Sequence, residues 1–365
     1  MLERAASEDQ VARLRLIRSD NIGPVTYFQL LARFGSASAA LDAIPDLAAR
    51  GGGRVPKLAS RAAVEREMEE VARLGARYLF LGQGLYPPLL AEIETAPPAL
   101  IVRGHLSLLD KPVIALVGAR NASAAACRFA RMLAQELGAA GATIVSGLAR
   151  GIDTAAHDGA LESGTIAVIA GGIDIFYPPE NEDRQRAIAE RGLLIAEQPP
   201  GVEPRARHFP YRNRIIAGLA QGTVVVEAAP RSGSLITARY ATEFGRDVMA
   251  VPGSPLDPRA QGCNQLIREG ATLIQNAEDV LETIRPFALR PLAQKGLDYT
   301  APAAPADTSE VERRTVADLL SPTAVNVDEI VRQSGLSPAS VQTVLLELEL
   351  AGRLERHAGG RVSLA

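Results

Sequence analysis

Short apolar runs separated by amphipathic stretches dominate the middle of the chain. Val113–Val117, Thr143–Ser146, Ile166–Ala170, Leu193–Glu197, Thr223–Glu227, Val248–Val251 and Thr272–Ile274 read as buried strands. Strands this apolar are covered on both faces, as those of parallel sheets are. Between the first two, Ser123–Ala140 sets Ala126, Phe129, Ala130, Leu133 and Leu137 on one helical face. Strand–helix units repeated at this length predict an α/β core, a doubly wound Rossmann-like and mostly parallel sheet.

The flanks follow other rhythms. Val11–Ala49 reads as short helices joined by turns at Ile22-Gly23-Pro24 and Phe34-Gly35-Ser36, a helical hairpin that resembles a helix-hairpin-helix or sterile-alpha-motif-like unit. Such a hairpin can offer backbone N–H groups to a phosphate; a small packing domain is the simpler reading. Residues 61–110 give a helix, short strands and Pro-Pro turns, an extension of the core. A Pro/Ala-rich stretch at 286–308 reads as a linker. Beyond it Glu310–Leu320, Asn326–Ser334 and Pro338–Ala351 are amphipathic, and Arg353–Leu364 follows as a small wing. That is a winged helix-turn-helix pattern. The expected domains are therefore 1–60, 61–285 and 309–365.

Composition narrows the setting. Hydrophobic residues make up 47% and charged residues 22%, enough for a sizeable core. The net charge of −3 gives no general attraction for a polyanion, so any such site must be a local concentration of arginine. Cys127 and Cys263 fit no metal or disulfide spacing. The first residues lack an apolar signal region, and no run reaches about 18 apolar residues, so neither secretion nor a membrane is expected. A reducing cytoplasm is the expected location.

In open α/β sheets, ligands bind beyond the C-terminal strand ends. Here the first of these ends reads Val117-Gly118-Ala119-Arg120-Asn121, with one glycine where a dinucleotide site carries three. The second strand ends in Ser146-Gly147, without the acid that holds a ribose, and continues to Arg150-Gly151. A nicotinamide cofactor is thus disfavoured, and Arg120 and Arg150 beside helix starts suggest an anion site. Phe209-Pro210-Tyr211-Arg212-Asn213-Arg214 opens a further helix. Aromatic rings and guanidinium planes together suit a single nucleic-acid strand, with Asn213 free to cap the helix or bond a base. Ser232-Gly233-Ser234 enters another helix as an oxyanion cradle. From Gly201 to Arg246 seven arginines face three acids, a basic stripe in an acidic protein.

These blocks in this order, with His157, Val251-Pro252-Gly253 and Gly262-Cys263-Asn264, closely resemble the DNA-processing protein A (DprA/Smf) family. The resemblance covers about Lys111 to Ile284, and the flanking segments resemble accessory domains of many members. It implies a Rossmann-like core that binds single-stranded DNA, loads the RecA recombinase during natural transformation, and dimerises through that core. It places the DNA pocket at Arg120, Arg212, Asn213 and Arg214, without catalytic residues, cofactor or metal. Lysines often described around such a pocket have no obvious counterpart in this arginine-rich chain.

Two other readings compete. A nucleotide phosphoribohydrolase shares this type of sheet, but the carboxylate of its Gly-Thr-x-x-Glu loop falls here on Thr237. Glu227 or Asp153 would have to substitute, although a strand-end acid more often braces a loop or caps a helix. Asp153 and His157 could supply two metal ligands, but no third is visible. A transcription regulator would read DNA through Pro338–Leu350, yet this helix has two acids and no lysine or arginine. From Asp307 to Ala365 nine acids outnumber six arginines, which suits a protein contact better than a major groove.

Overall fold

Valine, isoleucine and leucine runs that are apolar on both sides must be covered on both faces, and the sheet they build is. The computed structural model describes residues 7–288, 308–357 and 359–365. Its described part opens with α1 (Glu8–Ile17), α2 (Pro24–Phe34) and α3 (Ala37–Arg50). Ser7 and Ser36 cap α1 and α3 through their hydroxyls, and Pro24 starts α2. The core follows as α4 (Arg61–Arg73), β1 (Arg77–Phe80), α5 (Pro88–Ala91), β2 (Ala99–Gly104), β3 (Val113–Val117), α6 (Ala124–Ala139), β4 (Thr143–Ser146), α7 (Ile152–Ala160) and β5 (Thr165–Ile169). It continues through α8 (Glu182–Arg191), β6 (Leu193–Ala196), α9 (His208–Leu219), β7 (Gly222–Val225), α10 (Gly233–Glu243), β8 (Asp247–Ala250), α11 (Gln261–Arg268), β9 (Thr272–Leu273) and α12 (Ala277–Ala288).

The strands lie in the order β1-β2-β6-β5-β4-β3-β7-β8-β9. From β6 to β9 all pairings are parallel; β2 joins β6, and β1 joins β2, antiparallel. The chain winds outward from β3 to β6, returns to β7 beside β3, and winds outward again. The reversal between β3 and β7 is where a doubly wound sheet opens its binding crevice. The strands β3 to β7 are buried along their whole length, and α6 packs Ala130, Leu133, Ala134 and Leu137 into the same core. The last run departs from expectation. Thr272 and Leu273 form an exposed edge strand, and only Ile274 is buried.

The C-terminal segment is a winged helix. α13 (Glu310–Asp318), β10 (Val325–Asn326), α14 (Val327–Ser334), α15 (Pro338–Leu350), β11 (Leu354–His357) and β12 (Arg361–Leu364) follow in order, with β12 between β10 and β11. Ser309 and Glu312 cap α13 reciprocally, and Gly335, at φ +66°, turns α14 into α15.

The described residues pack as two units, one of residues 67–288 and one that joins residues 7–66 to residues 308–357 and 359–365. The two ends of the chain, read from sequence as separate domains, thus share one core. α15 joins them because it is apolar on two sides. Val341, Val344, Leu345 and Leu348 meet Val316, Ile330 and Leu354 of the winged helix, while Leu346 and Leu350 meet Leu30, Ile44 and Leu47. Gln29 Nε2 donates to Gln342 Oε1 (2.9 Å), and Arg353 Nη1 to the Gly51 carbonyl (3.0 Å). Most of the Pro/Ala-rich stretch, residues 289–307, lies outside the described residues. Among the described residues no helix is long and apolar enough to cross a membrane.

Candidate nucleic-acid interface

Three loops leave the C-terminal strand ends around the β3–β7 reversal and are laced together. Ala119 N–H donates to the Glu227 carbonyl (2.6 Å), and Ile152 N–H to the Ala119 carbonyl (3.2 Å). Gly151 permits the second contact: it sits at φ +75°, and a Cβ there would fall 2.2 Å from the Ala119 oxygen.

The turn after β4 is fixed from below. Asp153 Oδ2 accepts the N–H groups of Gly147 (3.2 Å) and Ala149 (3.3 Å), and His157 Nε2 accepts that of Leu148 (3.3 Å). Asn181 Nδ2 donates to the Leu148 carbonyl (2.9 Å), which holds Leu148 at φ +56°. Because Nε2 accepts, the proton of this imidazole sits on Nδ1 and is given to Thr165 Oγ1 (2.7 Å), which donates to the Ile144 carbonyl (3.1 Å). Burial lowers the His157 pKa to about 3, so the ring is neutral. Burial raises that of Asp153, opposed by Arg212. The pair considered as metal ligands is thus engaged in bracing the turn.

Arg212 lies across this turn, 6% exposed. Its Nη1 donates to the Val168 carbonyl (3.0 Å), and its Nε–H has no protein partner. Burial lowers its pKa to about 10 against the pull of Asp153, which leaves it charged at neutral pH. Above it, the Arg120 guanidinium lies over the Phe209 ring, 5.0 Å from the centroid. Among the described residues no acid pairs with Arg120. Two cavities of about 210 and 570 Å³ open on either side and share Arg120, Ala149, Phe209 and Arg212 in their walls. Gly147, Arg150 and Tyr177 line the smaller; Gly118, Asn121, Asn213, Ser232, Gly233, Ser234 and Arg231 line the larger. Phe209 is half-buried and belongs to this wall rather than to the core.

Several sequence-derived site residues have other work. Arg214 is 5% exposed and lines neither cavity; it pairs with Glu197 (2.5 Å) and donates to the Thr95 carbonyl. Ser146 is fully buried and donates to the Leu116 carbonyl (2.6 Å). Asn213 neither caps α9 nor faces outward alone: its Nδ2 donates to the Gly233 carbonyl (3.2 Å) and steadies the Ser-Gly-Ser loop. Within that loop the Ser232 and Ser234 hydroxyls are 2.8 Å apart. The start of α6, expected to favour a phosphate beside Arg120, is filled by the protein itself. Both Glu227 carboxylate oxygens accept Ser123 N–H (3.2 Å), and Oε2 accepts the Ser123 hydroxyl (2.7 Å). The basic stripe is also thinner than its count, because Arg214, Arg239 and Arg246 face Glu197, Glu243 and Glu92.

Arg259, Tyr177 and Glu180 are among the lining residues that escaped the sequence reading. Arg259, from the loop after β8, borders the larger cavity and pairs with Asp257 (2.9 Å) and Glu227 (3.5 Å). Tyr177 follows the end of β5, where Phe176-Tyr177-Pro178 beside a strand end was the available signal. The acids weighed for the enzymatic alternative are engaged with the protein itself. Thr237, 1% exposed, stands where a carboxylate is needed, Glu227 caps α6, and Asp153 holds the turn.

The model of the DNA recombination-mediator protein A family matches residues 77–285, more than half of the chain. The chain belongs to this family. The DprA-like N-terminal HHH domain matches residues 7–69, and the DprA winged helix domain residues 300–360. DNA processing protein DprA of Streptococcus pneumoniae is 50% identical over 198 residues, 54% of this chain and 70% of that protein. Protein Smf of Synechocystis is 36% identical over 326 residues, 80% of this chain and 81% of that one. The crystal structure of the S. pneumoniae protein superposes with a TM-score of 0.64 at 34% identity, covering 76% of this chain and 98% of that one. A structure of DNA processing protein A from Helicobacter pylori, described for its single-stranded DNA binding mode, superposes at 0.52 with 30% identity, covering 57% and 95%. The chain is thus a DprA-family DNA-processing protein.

Proposed function

We propose that this chain binds single-stranded DNA at the β3–β7 crevice and hands it to the RecA recombinase in the cytoplasm during natural transformation. It acts as a homodimer formed through the core, without catalysis. The observation that carries the reading is the unpaired Arg120 stacked on Phe209 at the shared wall of two cavities, with Arg212 charged beneath. Guanidinium planes and rings hold a flexible strand by its phosphates and base faces, whereas a duplex hides its bases. The acids a hydrolase would need are engaged with the protein's own N–H groups, which supports a binding role. Arg120, Arg150 and Arg212 are assigned to phosphate and Phe209 to a base, with Gly118, Asn121, Gly147, Gly151 and Ser232–Ser234 shaping the crevice. Arg214, Ser146 and Asn213 support it from behind.

The test is fluorescence anisotropy with single- and double-stranded oligonucleotides over a salt series. Tighter binding of the single strand, with little sequence preference, is the expected outcome. Equal or tighter binding of duplex of the same length overturns it. RecA assembly on the bound strand tests the handover.

A further inference from the structure

The helix that follows the Ser-Gly-Ser loop carries an aromatic stripe away from the larger cavity. Ile236 lines that cavity, and Tyr240 and Phe244 continue from it at four-residue spacing, on one side of α10 and about 6 Å apart along its axis. The Tyr240 and Phe244 rings are nearly parallel, 14° apart, with centroids at 5.8 Å, and both residues remain partly open to solvent. The Arg239 guanidinium sits over the Tyr240 ring, 5.9 Å from its centroid. α9 packs alongside α10 and adds Tyr211, next in sequence to Pro210 of the cavity wall. Burial raises the Tyr240 pKa and Tyr211 adds to the rise, so the two phenols are neighbours. An i, i+4 ring pair steadies its own helix, which accounts for Tyr240 and Phe244. It does not account for Tyr211, which is 52% exposed and has no ring stacked on it among the described residues. A large ring left in water suits a ligand that brings a flat apolar face.

The charge beside these rings is positive. Arg205 and Arg207 stand exposed at the head of α9, and among the described residues no acid pairs with either. Glu243, the acid on the stripe, faces Arg239 at 3.5 Å. We propose that this outer face of α9 and α10 is a second contact for the same single strand: nucleotides leaving the larger cavity lay their bases on Tyr211 and the Tyr240–Phe244 stripe, while Arg207 holds their backbone. A nucleic-acid strand fits better than a peptide because rings and guanidinium groups lie side by side here, as bases and phosphates do, and because the face continues the cavity wall. The proposal rests on the single-strand reading above and extends the site beyond the crevice, for longer strands only.

The experiment compares two oligo-dT strands on the full chain by anisotropy, one of about 5 nucleotides, which fills the crevice, and one of about 16. Tyr211→Ala should weaken binding of the longer strand about tenfold, within the span that loss of a base stack produces, and leave the shorter unchanged. Tyr211→Phe, which keeps the ring, should bind both as the native protein does. Arg207→Ala should lower the slope of log affinity against log salt by about 0.7 for the longer strand alone. All three variants should melt as the native protein does. The outer contact is overturned if Tyr211→Ala weakens both lengths equally, or weakens neither while Arg120→Ala weakens both. Should Arg120→Ala also bind both strands as the native protein does, the single-strand site itself falls.

Discussion

Gly147→Ala is the sharpest perturbation the site allows, because one methyl group meets one guanidinium. A Cβ at 147 would fall 1.4 Å from Arg212 Nη1 and 2.3 Å from its Cζ. Gly147 does not occupy the left-handed region, so the backbone itself tolerates alanine, and the three atoms nearest the added Cβ all belong to Arg212. Arg212 must leave its slot, which breaks the bond to the Val168 carbonyl and withdraws the positive charge that offsets buried Asp153. A hydrogen bond from a charged group contributes about 1.5–3 kcal/mol. Stranding Asp153 adds to this, so a loss near 3 kcal/mol and a core melting point lowered by roughly 6–12 °C are expected. Affinity for single-stranded DNA should fall with it. The assay is a double-mutant cycle with Arg212→Ala, read by thermal melting and anisotropy. In the Arg212→Ala background the added methyl should cost less than about 0.5 kcal/mol. An undiminished cost there, or no cost in the native background, refutes the clash.

Four further outcomes follow from the same geometry. Arg120→Ala should weaken binding and lower the slope of log affinity against log salt by about 0.7, without changing the melting point. Arg214→Ala should instead destabilise the core by about 1.5–3 kcal/mol through loss of its bonds to Glu197 and the Thr95 carbonyl, with the salt slope of the folded fraction unchanged. Burial takes the His157 pKa from 6.5 to about 3, so between those values the unfolded chain binds a proton that the folded chain refuses. Stability is then full above pH 6.5 and lost as pH falls toward 3, and His157→Gln should flatten that part of an acid-unfolding curve. Removing residues 309–365 should leave single-strand affinity within about tenfold, while α2 and α3 lose protection in hydrogen exchange, since Leu346 and Leu350 complete their core.

The sheet was legible because its signal is local: runs such as Val113–Val117 are strands wherever they occur in a doubly wound fold. The crevice was legible for a similar reason, since strand ends and helix starts collect ligands by topology. Pairing was not. A sequence window counts Arg214 and Arg246 as free charge, whereas their partners Glu197 and Glu92 come from other elements. Arg212 and Arg214 sit two residues apart and look alike, yet one reaches the cavities and the other turns into an ion pair on a different face of α9. The bracing role of Asp153 and Glu227 was the simpler sequence reading, and the structure has it. The union of the two chain ends left a trace that went unused: Val344-Leu345-Leu346-Glu347-Leu348-Glu349-Leu350 is apolar beyond one stripe, which a helix with a single buried face does not need.

That union sets an order of events for the growing chain. Asn21 and Leu350, bonded in the finished unit, are 329 positions apart, and the whole α/β core is synthesised between them. Through that interval the face of α1–α3 that will receive Leu346 and Leu350 has no cover, and local contacts alone must hold these helices. Closing so long a loop costs little more free energy than closing one of half the length, but it cannot begin until α15 exists. A polypeptide that stops short therefore displays an apolar face that a finished one conceals, the kind of surface on which chaperones and proteases act.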